Sequence, residues 1–316
     1  MKKLILVILL VILLVISGCI SREIVDETGE INILFCPREN CMEFVKQKIS
    51  ESNEVRCAVY NLRSEGLASI LKSRDYSIVV DKLNSFPLKG MEYATNRNFK
   101  NLMHNKFCIM DNKAVITGSF NFIENNQNYD NLVYIESKAL ASNYLDEFDE
   151  LSERKFGSGE KVKYPQAVLN SIRIENYFCP EDDCEQHLIS LISSANSSIY
   201  FMTFAFTSNN VCDAIIEKHK KGIKVLGIFE SSQFGKYSEE KRFKKEKIPF
   251  YVDSGKQEMH HKVFIIDNKT VLTGSYNPTK SANIYNDENI LIIHDKNIAS
   301  LYLSEFNFLI ESLKSE

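Results

Sequence analysis

One short pattern occurs twice in this chain with the same internal spacing. His104-Asn105-Lys106 is followed by Asp111, seven residues after the histidine, and His260-His261-Lys262 is followed by Asp267 at the same distance. A Gly-Ser-aromatic-Asn quartet then appears in each copy, Gly118 to Asn121 and Gly274 to Asn277, seven residues past the aspartate. A strand sends alternate side chains to one face. His104, Lys106 and Cys108 therefore share a face, as do His260, Lys262 and Phe264. Asp111 and Asp267 have the opposite parity and open Asp-Asn-Lys segments between apolar runs, FCIM and AVIT, VFII and TVLT. That is a hairpin signal, so the aspartates read as turn-forming. Gly118 and Gly274 let backbone approach closely, and Ser119 with Asn121, like Ser275 with Asn277, shares a face.

The duplication reaches beyond the motif. FCPRENC, residues 35–41, matches FCPEDDC, residues 178–184, and each leads into a helical segment and then a strand, RCAVYNL and SIYFMTF. Leu188, Ile189, Leu191, Ile192 and Ala195 recur at helical spacing. Pro37 and Pro180 are expected in the first helical turn. TSNNVCDAIIEKHKKGIKVLGIFE then reads as a capped amphipathic helix, a stop at Gly222 and a buried strand, echoed faintly by SEGLASILKSRDYSIVV. Alternating strands and helices predict an α/β fold, a mixed or parallel sheet flanked by helices in each repeat. The expected boundaries are a leader over 1–19, a polar tether over 20–30, a first repeat over 31–152, a Gly- and Pro-containing linker over 153–166 and a second repeat over 167–316.

The full pattern, HxK(x)4D(x)6GSxN in both copies, is identified as that of the phospholipase D superfamily. The resemblance implies two repeats packed as a pseudo-twofold pair, with their sheets meeting at a shared site, and a phosphodiester hydrolase working through a phosphohistidine. Lys106 and Lys262, with Ser119, Asn121, Ser275 and Asn277, would hold the nonbridging phosphate oxygens. One of His104 and His260 would attack phosphorus while the other protonates the leaving oxygen and then serves as base for water. Family precedent favours His104 as nucleophile. Each histidine needs an orienting partner. The family pattern supplies it from the opposite half, pairing His104 with Glu288 and His260 with Asp130. No metal or other cofactor is required, and no carboxylate cluster to hold a metal is obvious in the sequence. With both half-sites in one chain, a monomer is expected. His187, His219 and His294 read as solvated or structurally satisfied, and His261, of the wrong parity, should face away from the site.

Lys2 and Lys3 precede an apolar run, Leu4 to Ile16, and then Ser17-Gly18-Cys19. At 1.5 Å per residue this run is about 20 Å long, short for a bilayer core of about 30 Å, and reads as an export signal. VISGC resembles a lipobox, with Cys19 as the lipidated residue; an uncleaved signal anchor is the alternative. Both expect the body to be tethered to the outer face of the cell membrane. Export agrees with disulfides between Cys36 and Cys41 and between Cys179 and Cys184, with a four-cysteine zinc site as the other reading. Cys57, Cys108 and Cys212 lie in apolar stretches and are expected as buried thiols.

Without Lys2 and Lys3, the 38 basic residues fall to 36 against 42 acidic ones. Such a body has no global attraction for polyanions, so nucleic acid would need a local groove. The one basic cluster, Lys236 to Lys247, reads as a solvated helix or as a backbone contact at the rim. Compactness favours a nuclease-like enzyme; phospholipase D activity on membrane headgroups and a noncatalytic binding role are the alternatives.

Overall fold

In the computed structural model, residues 24, 26–81, 88, 90–96 and 101–315 are described. The apolar leader and Cys19 lie outside them. Among the described residues no helix is long and apolar enough to cross a membrane. The first half comprises β1 (Asp26–Glu27), β2 (Ile31–Cys36), α1 (Cys41–Ser50), β3 (Glu54–Val59), β4 (Leu62–Arg63), α2 (Glu65–Lys72), β5 (Asp75–Asp81), β6 (Ala94–Asn96), β7 (Lys106–Met110), β8 (Ala114–Gly118), β9 (Phe122–Ile123), β10 (Asp130–Glu136) and α3 (Lys138–Ser152). The second comprises β11 (Gln166–Leu169), β12 (Ile172–Cys179), α4 (Cys184–Ser194), β13 (Ser198–Thr203), α5 (Asn209–Lys220), β14 (Lys224–Glu230), α6 (Glu240–Glu246), β15 (Phe250–Asp253), β16 (Lys262–Ile266), β17 (Thr270–Gly274), α7 (Lys280–Ile284), β18 (Glu288–His294) and α8 (Lys296–Ser315).

The two main sheets repeat one strand order. β2-β10-β8-β7-β3-β5-β6 in the first corresponds to β12-β18-β17-β16-β13-β14-β15 in the second, which gains β11 and β1 at its edge. In each, three parallel strands continue into an antiparallel set, so the sheet is mixed. The expected tether is thus partly a strand: Asp26–Glu27 pairs with Val168–Leu169.

Sequence chemistry accounts for the helix starts and the tight turns. α1 and α4 begin at Cys41 and Cys184, where Asn40 and Asp183 accept from the backbone N–H of Glu43 and Gln186. Pro37 and Pro180 therefore lie ahead of the helices rather than in their first turns, because the cap and not the proline sets the start. The β7–β8 and β16–β17 hairpins turn on Asp111-Asn112 and Asp267-Asn268, all four with φ between 48° and 54°, the left-handed pair of a tight hairpin turn. Asp111 Oδ1 accepts from Asn53 and Glu54 N–H, and Asp267 from those of Asn196, Ser197 and Ser198. The motif aspartates thus pin the hairpin to the loop preceding β3 or β13, five strand residues or roughly 17 Å from the lysines.

The halves pack through equivalent faces. α3 lies on the first sheet and α8 on the second. Phe178 meets Tyr144 of α3 edge-on at 5.0 Å, and Phe35 meets Tyr302 of α8 at 5.1 Å. Both tyrosines are fully buried; such edge contacts contribute about 0.5–1.5 kcal/mol beyond area burial. Asn131 donates to Tyr302 Oη and Thr273 Oγ1, while Tyr144 and Thr117 donate to Asn289 Oδ1.

Cys36–Cys41 and Cys179–Cys184 are disulfide-bonded, and so is Cys57–Cys108. The last pair corrects the expectation of two buried thiols. Cys57 and Cys108 stand directly opposite across the antiparallel β3–β7 pair, Cα atoms 4.1 Å apart, and that pairing is invisible in the separate stretches of sequence. Cys212 is buried and unbonded. The basic cluster forms α6, with Phe243 buried beneath it, Arg242 paired with Asp213 and Glu239, and Glu246 with Lys220.

Candidate active site

The parallel strands of both sheets point their carboxyl ends at one place, where open α/β sheets hold their ligands. β7 and β16 run antiparallel to β3 and β13, and Lys106 and Lys262 lie opposite Val59 and Thr203 at those ends. His104 and His260, two residues earlier, stand just beyond the sheets. Their backbone N–H groups donate across the interface, His104 to the Asp287 carbonyl and His260 to the Tyr129 carbonyl, both at 2.9 Å. Each half therefore holds the other half's histidine by its main chain.

The side chains cross in the same way. His104 Nδ1 lies 2.8 Å from Glu288 Oε2, and His260 Nδ1 lies 2.7 Å from Asp130 Oδ1. A carboxylate can only accept, so each Nδ1 carries the proton and each Nε2 presents its lone pair to the cleft. Burial lowers His104 to about 4, with Lys106 adding to the effect and Glu288 opposing it. Burial and Lys262 lower His260 as well, against Asp130. The fields overlap: Lys262 bears on His104, and Lys106 on His260. Burial pushes Asp130 and Glu288 up, but His260, Lys262 and Ser119 around the first, and His104, Lys106 and Ser275 around the second, together outweigh it and hold both carboxyls below their ordinary range.

Lys106 and Lys262 are each 1% exposed. Their Nζ atoms donate to the carbonyls of His104 and His260 at 2.6 Å, which fixes two ammonium groups beside the histidines. Burial lowers Lys106 to about 8 and Lys262 well below the usual lysine value. A phosphodiester entering here would meet desolvated cations, where charge attraction is strongest.

The quartets act in two ways. Gly118 and Gly274 have φ of 135° and 142°, and a Cβ on either would collide with the carbonyl of Asn131 or Asn289. That closeness lets the following serine reach the carboxylate. Ser119 Oγ donates to Asp130 Oδ1 at 2.7 Å and accepts from Asn131 N–H; Ser275 accepts from Asn289 N–H and hydrogen-bonds to Glu288. Both serines are wholly buried. Expected as phosphate ligands, they instead have their hydroxyls engaged by the acids that orient the histidines. Asn277 Oδ1 accepts from Ala205 N–H at 3.3 Å, leaving its amide donors available, and Asn121 Oδ1 is buried without a partner.

Two site residues escaped the sequence reading. Tyr60 and Phe204 follow β3 and β13 at equivalent positions and present ring edges to His104 and His260, centroids 4.7 and 4.6 Å apart. Lys106 and Lys262 lie 5.0 and 4.8 Å from the same rings. The matched segments RCAVYNL and SIYFMTF carried the signal. His261 faces away from the cleft, as its parity requires. It is buried between Asn131 Oδ1 and Glu305 Oε1, each at 3.4 Å. Its counterpart Asn105 donates to Glu147 and accepts from Asn289. His187 stacks on Tyr177, and His294 bonds Glu175. A carboxylate cluster not evident in the sequence does exist: Glu147, Glu150 and Glu181 converge behind the His104 half-site.

Comparison with known proteins gives four results. The family described as "Cardiolipin synthase, PLD-like domain" matches residues 45–152 and 188–310. Phospholipase D of Rickettsia prowazekii is 28% identical over 177 residues, 55% of this chain and 83% of that protein. Mitochondrial cardiolipin hydrolase of Mus musculus is 33% identical over 126 residues, 38% of this chain and 54% of that one. Among solved structures, the phosphatidylserine synthase of Haemophilus influenzae shares the fold with a TM-score of 0.67 at 14% identity, covering 87% of this chain and 84% of its own.

Proposed function

The chain belongs to the phospholipase D superfamily and is a phosphodiester hydrolase; from that premise we propose that it cuts nucleic acid through a phosphohistidine, with lysines rather than a metal neutralising the phosphate. The observation that carries the chemistry is the crossed pair of histidines, each with its Nε2 free and its Nδ1 held by the other half's carboxylate. His104, neutral above about pH 4, attacks phosphorus through Nε2. A P–N bond forms as the P–O bond to the leaving group breaks, and protonated His260 gives that oxygen its proton. Water then attacks phosphorus, passes a proton to His260 and releases His104. Asp130 and Glu288 stabilise each imidazolium as it appears. Lys106 and Lys262, with the amides of Asn121 and Asn277, hold the nonbridging oxygens.

Nucleic acid is favoured over the lipid of a tethering membrane by where the chain joins the sheets. β1 pairs beside Leu169 at the Ile172 end of β12, whereas Glu288 pairs with Cys179 at the other end. Seven strand residues, roughly 23 Å, separate the two levels. An anchor at Cys19 would thus join the sheets at the end opposite the cleft, which favours a substrate other than the lipid of that bilayer. The second reading, phospholipid hydrolysis, has its own support. The exposed Tyr237 and Ile284 line a cavity with Thr207 and Ser208, and the relatives named above are a phospholipase D and a cardiolipin hydrolase.

The test is hydrolysis of single-stranded DNA, duplex DNA, RNA and phosphatidylcholine or cardiolipin vesicles, side by side in EDTA at a temperature where the fold is intact. Cleavage of a nucleic acid with vesicles untouched is the expected result. Headgroup release alone overturns the substrate assignment, and a strict need for a divalent ion overturns the lysine mechanism.

A further inference from the structure

α3 and α8 are equivalent helices, and so are the loops FCPRENC and FCPEDDC, yet one pair of equivalent corners differs in charge. In the corner behind His260, the Arg38 guanidinium pairs with Glu305 of α8 and lies 3.8 Å over the Phe308 ring. Glu305 in turn faces His261. In the corner behind His104, the residues at matching positions are Glu181 for Arg38, Glu147 for Glu305 and Glu150 for Phe308. A cation is built into the first corner. The second has three carboxylates, one oxygen from each lying within 4.8 Å of the other two.

Among the described residues no Lys or Arg forms an ion pair with them, and Glu150 accepts only from the Glu160 backbone N–H. Glu147 is 5% exposed, and its one described hydrogen-bond partner is the neutral Asn105 amide. Glu181 Oε2 is buried without a partner. Asp287, 2% exposed, also has a buried unpartnered oxygen, Oδ2, and its charge adds to those of Glu181, Glu150 and Asp182 at Glu147. Of the three lysines lining the cavity, Lys155 pairs with Glu153 and Lys163 with Asp146, while Lys161 is exposed and forms no ion pair with the cluster. The main chain at Gly159 passes directly against the cluster, since a Cβ there would collide with Glu150 Oε2 and Glu181 Oε1. Glu147 and Glu150 line a cavity of about 230 Å³, which gives an ion a way in.

We propose that Glu147, Glu150 and Glu181 form a site for one hard divalent cation, calcium above magnesium or manganese, that does for the His104 half what Arg38 does for the His260 half. An all-oxygen, carboxylate-rich set with room for water suits calcium, whose coordination is flexible. The ion is structural. It steadies Glu147, through it Asn105, and through Asn105 the Asn289 amide next to Glu288.

Calorimetric titration of the chelator-stripped protein with calcium, magnesium or manganese chloride, together with thermal melts, tests this. One calcium per chain with a submillimolar Kd, and a melting temperature several degrees higher at saturation, is expected. Glu181→Arg installs the residue found in the other corner. It should weaken calcium binding at least tenfold, abolish the melting shift and melt in EDTA no lower than the wild type. Should that variant not fold, Glu150→Gln must show the same tenfold loss of binding. No heat and no shift with any of the three ions would mean that the acids simply carry protons, and would overturn the proposal. Unchanged calcium binding in the folded variants would place the ion elsewhere and overturn it equally.

Discussion

Glu288→Gln isolates what the crossed carboxylates do. The amide keeps the size of the side chain and an oxygen within reach of His104 Nδ1, now 2.8 Å from Glu288 Oε2, but it removes a buried negative charge. In the ground state His104 is neutral, so little substrate binding should be lost. In the transition state the imidazole becomes cationic as the P–N bond forms. A charge pair about 4 Å apart at an effective dielectric constant near 20 is worth about 4 kcal/mol. The neutral hydrogen bond that remains recovers roughly 1 kcal/mol. The net loss of about 3 kcal/mol corresponds to a fall in kcat of roughly 100-fold, with KM little changed. Stability should move far less, because the desolvation cost of a buried carboxylate vanishes with its charge. Steady-state kinetics on a small phosphodiester, with a thermal melt as folding control, measures both. A folded variant within threefold of wild-type kcat would refute the idea that Glu288 stabilises a developing imidazolium, and a rise in KM alone would reassign it to binding.

His104→Ala and His260→Ala should each reduce turnover at least 1000-fold in a folded protein, as expected when a nucleophile or its acid is lost. Acid quench during turnover should trap a phosphoryl group on His104, and label recovered on His260 instead would exchange their roles. The pH profile of kcat/KM follows from the signs of the shifts. His104 must be neutral, which it is above about 4, and His260 must be protonated although burial and Lys262 lower it, so the optimum should lie on the acid side of 6.5. Loss of the Lys106 charge, lowered to about 8, should steepen the alkaline fall; an optimum above pH 8 would contradict these assignments. For localisation, Cys19→Ser should release the protein from membranes or leave an unprocessed precursor, and mature wild-type protein beginning at another residue would remove the lipid anchor from the proposal.

Much of the site could be read from the sequence because its parts are local patterns printed twice. The parity of His104 and Lys106 against Asp111 follows from strand geometry, and Asp-Asn between two apolar runs announces the turn whose left-handed backbone is observed. Resemblance to a family, rather than spacing, linked His104 to Glu288, a partner 184 residues away. Tyr60 and Phe204 were present in the matched segments, but an apolar ring gives no sign in sequence of facing a histidine rather than the core. Ser119 and Ser275 stand where the pattern puts them but serve a different purpose, because whether a hydroxyl meets phosphate or carboxylate depends on how closely Gly118 and Gly274 let the strands approach.

The sequence by itself determined the duplication, the alternation of strand and helix, the hairpins and the two half-sites, since each rests on residues within a turn or two of one another. Only the tertiary structure decided what meets across the interface. Cys57 joins Cys108 because β3 and β7 pair in that register. Arg38 neutralises Glu305 because a loop of the first half folds onto the last helix, while at the equivalent corner Glu181 is brought against Glu147 and Glu150. These contacts join residues far apart in the chain, and their energies depend on burial, so the charge balance at these two corners is a property of the packed halves and not of either repeat read alone.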